Sequence, residues 1–305
     1  TKMFTGAAVM MLVDEEKVSL EDPVTRFIPE LDKWMVTAES DANHVLLKPV
    51  VRPVTIRHLL CHTSGLTGLS ELQRVVGADA TPLRVRALGS VTGPLQSQPG
   101  ERYAYGNQGM NIAARVVEIV SGIPYEEFLQ KRIFDPLGMS ETTFWPSEAQ
   151  VARLAKSYGR NKDGTGCALG DIAFLTPPFG DRAHRFPEAG GGLFSTTHDI
   201  LRYGMLLANN GELEGKRYLS PAAMAELRRE QTGETKVNYS LGYHLRNGMF
   251  GHDGAYGTDL SVNSETGMIA IFMVQCTGGD QWEARDVFLK TAADVFSTRT
   301  GKHLD

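Results

Sequence analysis

The chain reads as an α+β protein, and two patterns carry that reading. From about residue 3 to residue 235, apolar residues recur at helical spacing between loops. After Asn238, four short apolar segments are cut by Gly, Asn and Ser-Glu-Thr-Gly turns, and an amphipathic helix closes the chain. A mostly helical region followed by an antiparallel sheet is the α+β arrangement. The 305 residues suffice to bury a real core, and 42% hydrophobic with 22% charged residues is ordinary globular usage. One catalytic-sized domain is expected over 1–305, with a helical lobe at roughly 3–235 and a sheet plus terminal helix at roughly 238–298.

The elements follow in order. Residues 3–17 predict a helix with Met3, Ala7, Met10, Met11 and Val13 near one face, and Gly6, Ala7 and Ala8 are small enough for another backbone to come close. Pro23 breaks the pattern, and a loop-rich stretch is expected to about Pro53. TIRHLLCHTSGL predicts a short helix capped by Thr55 and stopped by Gly65. Pro99-Gly100 marks a turn before a long helix through Met110, Ala113, Ala114, Val117 and Val120, ending at Ser121-Gly122. EEFLQKRIFDPLGM predicts a helix ended by Pro136, and 146–190 an irregular excursion of the kind that is functional or mobile. GGGLFSTTHDILRYGMLLANNG predicts a helix capped by Thr197 or Ser195 and ended by Gly211. YSLGYHLRN, MFGHDGAYG, TDLSVNSETG and MIAIFMVQCT predict consecutive antiparallel strands, and WEARDVFLKTAADVFSTR the closing helix.

Composition excludes several functions. A net charge of −5 without a Lys/Arg run speaks against nucleic-acid binding. No apolar stretch reaches the roughly 18 residues of a membrane span. Cys61, Cys167 and Cys276 are odd in number, far apart and without C-x-x-C spacing, which reads as buried free thiols rather than a disulfide frame or metal site. No metal or organic cofactor is implied.

The chain contains no H-E-x-x-H, P-loop, G-x-S-x-G or complete S-x-x-K. Arg299-Thr300-Gly301 superficially imitates K-T-G but reads as a frayed tail after the last helix. Three stretches remain as candidates: Thr1-Lys2 at the head of an apolar helix, Tyr105-Gly106-Asn107 at a loop–helix junction, and His252-Asp253-Gly254 on a presumed strand between Gly251 and Gly257. Singly, each has a bland reading as a solvated end charge, a packed tyrosine beside a turn, and a hydrogen-bonded histidine. His198-Asp199 reads as helix capping, and His62-Thr63-Ser64-Gly65 as scaffold.

Taken in order, these stretches resemble the serine β-lactamase-like hydrolases, a family that includes class C β-lactamases, D-alanyl-D-alanine peptidases and family VIII carboxylesterases. TKMFTGAAVMMLVDEEKVSLEDPVTRFIPEL resembles the nucleophile helix and the segment after it, and TIRHLLCHTSGL the His-Thr-Ser-Gly-Leu stretch. PGERYAYGNQGMNIAARVVEIVSG resembles the Y-x-N segment, and GHDGAYGTDLSVNSETGMIAIFM the H-x-G or K-T-G strand with its hairpin partner. PLGMSETTF and GGLFSTTHDILRYGMLLANNG match as well, so the resemblance runs over nearly the whole chain.

The resemblance implies the β-lactamase/transpeptidase-like fold and an acyl-enzyme mechanism. Thr1-Lys2 would be the last two residues of S-x-x-K, placing the nucleophilic serine two residues before Thr1, with a helix and first strands expected further upstream. Lys2 and Tyr105 would be the catalytic acid–base groups, in roles the sequence does not divide between them. Asn107 would hold Lys2 and the substrate carbonyl, His252 and Gly254 would line the substrate, and the Ala255 N–H would complete an oxyanion hole with the serine N–H. Where penicillin-recognising members have K-T-G, this chain has His252-Asp253-Gly254. Asp253 is expected to add negative charge where a substrate carboxylate would sit, which favours a carboxylesterase. A D-amino-acid-directed peptidase or amidase, a weak β-lactamase, and a catalytically silent binding member are the alternatives. The expected partner is a small ester or amide.

Overall fold

The computed structural model describes residues 1–161, 163–172 and 175–300. Helix α1 (Lys2–Asp14) is followed by a hairpin of β1 (Met35–Ser40) and β2 (Val45–Pro49). Helices α2 (Ile56–Leu60), α3 (Glu71–Val76) and α4 (Leu83–Gly89) lead to the long α5 (Gln108–Ser121). Helix α6 (Tyr125–Leu129) runs through a π-helical stretch at Gln130–Phe134 into α7 (Asp135–Leu137). Then come α8 (Glu148–Val151), β3 (Tyr158–Arg160), β4 (Cys167–Leu169), α9 (Thr197–Ala208), the ribbon β5 (Glu212–Leu213) and β6 (Lys216–Arg217), and α10 (Pro221–Arg228).

The predicted strands follow as β7 (His244–Arg246), β8 (Met249–Asp253), β9 (Asp259–Asn263) and β10 (Met268–Phe272), an antiparallel meander in the order β10-β9-β8-β7. β11 (Cys276–Thr277) leaves this sheet to pair with β3, and α11 (Gln281–Thr300) closes the chain. Strand alternation sorts the two faces. Leu260 pairs with Ile271 and Val262 with Ile269, facing α9, where Gly204 lets the helix come down onto Ile269 and Leu260. The opposite parity puts Phe272 against Phe288 of α11, with ring centroids 5.4 Å apart.

Helix α1 is the axis of the molecule. It packs on α5, α6, α10 and β8 and is buried on all sides from Lys2 to Leu12, not on the single face that its spacing predicts. The small residues explain this. A Cβ on Gly6 would lie 2.0 Å from the Leu241 carbonyl oxygen, so only glycine admits the 240–243 loop at that contact. Thr5, the polar residue inside this core, is fully satisfied by Tyr125 Oη at 2.7 Å and the Ala189 carbonyl at 2.8 Å.

Several sequence expectations are corrected. The stretch before Pro53 contains the β1–β2 hairpin, which escaped notice because Val45, Leu46 and Leu47 are exposed and give no half-buried alternation. Helices α3 and α4 occupy a segment where no element was expected. Thr55 caps α2 as predicted, but the chain turns at His62 (φ 60), before Gly65. Pro136 sits inside α7, and Gly138 in the left-handed region is the stop. Thr196, not Thr197 or Ser195, caps α9. Arg299 and Thr300 belong to α11, and Gly301 lies outside the described residues. Among the described residues no helix is long and apolar enough to cross a membrane.

Candidate active site

Lys2 is buried at the head of α1, with its ammonium nitrogen 2.9 Å from Asn107 Oδ1 and 2.6 Å from the Gly190 carbonyl. Both acceptors are held from outside α1. Asn107 stands at the N-terminus of α5 and gives its side chain to Lys2 instead of capping the helix. Gly190 lies in the loop before α9, where a Cβ would come 2.3 Å from Asn107 Oδ1. Burial lowers the Lys2 pKa from 10.5 to about 8, and the carboxylates of Glu188 and Asp253 keep it from falling further. A neutral amine has two N–H donors and one lone pair. Two fixed acceptors therefore satisfy its donors and leave the lone pair as a proton acceptor.

Tyr105 lies beside Lys2, whose Nζ is 4.7 Å from the ring centroid. About half of the residue faces solvent. Desolvation by the surrounding side chains, followed by the Asp253 charge, raises its pKa above the usual 10, so the phenol is a proton donor near neutral pH. Behind it lies a ring cluster containing His62, Tyr239, His244 and His252.

The structure brings His252 to this cluster and engages both of its ring nitrogens. Nδ1 contacts the Asp253 carbonyl oxygen and Nε2 is 3.0 Å from Tyr239 Oη, which in turn is 3.1 Å from His62 Nε2. A carbonyl only accepts, so Nδ1 carries the proton, Nε2 accepts from Tyr239, and His62 Nε2–H donates to Tyr239. Burial and then the Lys2 charge hold both histidines well below 6.5, consistent with neutral rings.

Asp253 departs from the expectation that it presents free negative charge. Its carboxylate contacts Arg285 at 2.7 Å, Arg246 at 3.2 Å and His244 at 3.2 Å. Burial alone would raise its pKa, but His244 and Arg246 hold the group well below the usual carboxylate range. His244, His252 and Asp253 offer ligand atoms within 4.8 Å of one another. A dication there would have to displace two guanidinium groups, so the cluster is an ion-pair hub. In the next turn the Gly254 N–H bonds Thr258 O and the Gly257 N–H bonds Gly254 O. Among the described residues no protein acceptor takes the Ala255 N–H, and Ala255 is exposed.

Sequence reasoning missed what holds Lys2 from behind. Glu188, fully buried, pairs with Arg86 at 3.0 Å, accepts from Asn111 Nδ2 at 3.1 Å and receives the Gly190 N–H at 3.0 Å. Asn111 is one helical turn from Asn107, so α5 presents one asparagine to Lys2 and the next to the loop carrying Gly190. The i, i+4 asparagine pair was the available signal. His198 and Asp199 stay in a structural role: Asp199 accepts from Thr142 and from the Glu141 N–H. Ser64 is buried and bonded locally to the Leu66 N–H.

Comparison with known proteins widens this picture. A family model described as β-lactamase matches residues 1–293. Lovastatin esterase from Penicillium rubens is 32% identical over 84% of this chain and 70% of its own length. Penicillin-binding protein 4 from Amycolatopsis lactamdurans is 29% identical over 85% of this chain and 65% of its own. The solved structure of a simvastatin synthase mutant from Aspergillus terreus superposes with a TM-score of 0.78 at 22% identity, over 99% of this chain and 80% of that one. An esterase and a penicillin-binding protein thus stand among its relatives, and the solved structure shares its fold. The chain belongs to the β-lactamase family.

Proposed function

We propose that the protein is a serine hydrolase that works through an acyl-enzyme and takes an uncharged carboxylic ester. The observation that carries this is the buried Lys2 amine, lowered to about 8 and clamped by Asn107 and Gly190. A serine one helical turn before Lys2, two residues before Thr1, would present its hydroxyl to the amine's lone pair. Lys2 takes the hydroxyl proton as the oxygen attacks the ester carbonyl. The Ala255 N–H and the serine N–H bind the oxyanion, and Tyr105, kept protonated, donates to the departing alkoxide. Lys2 then returns its proton to the Tyr105 phenolate, which resets both groups, and water attacks the acyl-enzyme in the same way with the serine oxygen as leaving group. Asn107 and His252 act by position, Asn107 on Lys2 and His252 on the strand that leads into the Gly254-Ala255 turn.

The ester preference rests on charge. Beside Gly254 the chain offers a neutral imidazole and an aspartate already paired with two arginines. Among the described residues, Arg246 and Arg285 are already paired with Asp253, which leaves neither free to receive the carboxylate of a β-lactam. The test is turnover of an aryl acetate against a cephalosporin by the protein that includes the residues before Thr1. Faster aryl acetate turnover is expected, and equal or faster cephalosporin turnover would overturn the ester assignment.

A further inference from the structure

Cys167 and Cys276 do not match the sequence expectation of buried thiols. Cys167 on β4 is exposed, Cys276 on β11 is half-buried, and their sulfurs lie 3.7 Å apart although 109 residues separate them. β3 runs between the two strands, pairing with β11 on one side and β4 on the other. Gly279 lies beside the pair, where a Cβ would make ordinary contact with both sulfurs, at 3.4 Å and 3.8 Å. A disulfide requires the sulfurs to close by roughly 1.7 Å to the ~2.05 Å bond, and the Cα atoms to lie within about 7 Å of each other. Because β3 puts two strand spacings of ~4.8 Å between β11 and β4, β11 must swing toward β4 for the bond to form. β11 is only two residues long and runs straight into Gly278-Gly279, which lets that end of the chain move. Cys61 lies apart from the pair, buried and bonded to Thr63, with its thiol pushed up to about 11 by burial. The Cys276 thiol is raised as well, by desolvation and then by its contact with Cys167.

The pair also sits where a cross-link would bear on the candidate active site. The Cys276 N–H bonds the Tyr256 carbonyl, one residue beyond Ala255, and the Tyr158 N–H bonds the Gln275 carbonyl. The Tyr256 hydroxyl reaches the Asp171 carbonyl at 3.1 Å. β11 is thus the seam between the 146–190 excursion and the turn that carries Ala255.

We propose that Cys167 and Cys276 are a redox-active dithiol that a small disulfide such as oxidised glutathione converts to an internal disulfide, tying the excursion to the Ala255 turn. Cys167, the more exposed, attacks one sulfur of glutathione disulfide and expels a glutathione thiolate. Cys276 then attacks the Cys167 sulfur of the mixed disulfide and expels the second. Two protein thiols are oxidised, one small disulfide is reduced to two thiols, and the thiol protons pass to the two leaving groups.

The experiment is incubation of the folded protein with oxidised glutathione, followed by thiol titration, intact mass and non-reducing peptide mapping. The expected product has lost two thiols and about 2 Da, and contains one Cys167–Cys276 linked peptide with Cys61 free. Cys276→Ser should stop at a glutathione adduct on Cys167. No reaction, separate glutathione adducts on both cysteines, or a disulfide involving Cys61 would overturn the proposal. Oxidation should also slow amide exchange in Tyr158–Arg160, and unchanged exchange would refute the tethering. None of these readouts depends on turnover, so the inference stands or falls apart from the hydrolase reading.

Discussion

Replacing Lys2 by Met removes a buried charge and keeps the side chain's length. The stability difference between the two proteins should therefore depend on pH in a specific window. Lys2 titrates at about 8 in the folded protein against 10.5 ordinarily. Below about 8 both states hold the proton, and the folded state bears the full cost of burying the cation. At about 1.4 kcal/mol per pH unit, that difference amounts to roughly 3 kcal/mol. Between 8 and 10.5 the unfolded chain binds more protons than the folded one, so wild-type stability rises with pH and the cost disappears. The Met variant lacks this term but leaves Asn107 Oδ1 and the Gly190 carbonyl unpaired, at about 1 kcal/mol each. It should be more stable than wild type by about 1 kcal/mol at pH 7 and less stable by about 2 kcal/mol near pH 10.5. Urea unfolding of both proteins across this range measures the difference, and shared tyrosine and cysteine titrations cancel in it. A difference that is flat between pH 7 and 10.5 would show that Lys2 is not a depressed amine and would remove the argument for it as a base.

Gly190→Ala forces a Cβ to within 2.3 Å of Asn107 Oδ1, so the asparagine must leave Lys2; overpacking of about 1–3 kcal/mol and a loss of activity well beyond tenfold are expected. A thermal melt and an ester assay read the two effects, and a variant indistinguishable from wild type in both would contradict the clamp. Tyr105→Phe should lower kcat by about 10²-fold with an unchanged melting temperature, the hydroxyl being the only atom group lost. Activity within a few-fold of wild type would place Tyr105 outside the chemistry. Glu188→Gln strips the partner from a buried Arg86 and should cost about 3–5 kcal/mol in denaturant unfolding. A change below about 0.5 kcal/mol would show that the pair does not support the Gly190 loop.

The sheet was legible because its strands are short, apolar and cut by turns whose residues suit nothing else, and β7 to β10 fall where those turns place them. Helix α5 was legible because Met110, Ala113, Ala114 and Val117 keep helical spacing between a Pro-Gly turn and Gly122. The β1–β2 hairpin was not, since a strand with all five residues exposed has no apolar period. The site divides in the same way. Thr1-Lys2, Tyr105-x-Asn107 and His252-x-Gly254 could be picked out as short motifs, and the fold brings Lys2, Tyr105, Asn107 and His252 together. Gly190 and Glu188 could not be picked out, because their part depends on a carbonyl and a carboxylate 188 and 186 residues from Lys2 in a stretch with no periodicity. Asp253 misled because a sequence shows a charge but not the arginines folded against it.

The central claim is that a serine one helical turn before Lys2 is the nucleophile and Lys2 its base. A fluorophosphonate probe, which phosphonylates activated serines, tests it when applied to the protein carrying the residues before Thr1 and to the polypeptide that begins at Thr1. The longer protein should gain one adduct, mapped to the residue two before Thr1. The polypeptide beginning at Thr1 should gain none, because adjacent helical residues point about 100° apart and the Thr1 hydroxyl is directed away from the Lys2 face. An adduct on Thr1 or Ser64, or an unlabelled longer protein, would contradict the account.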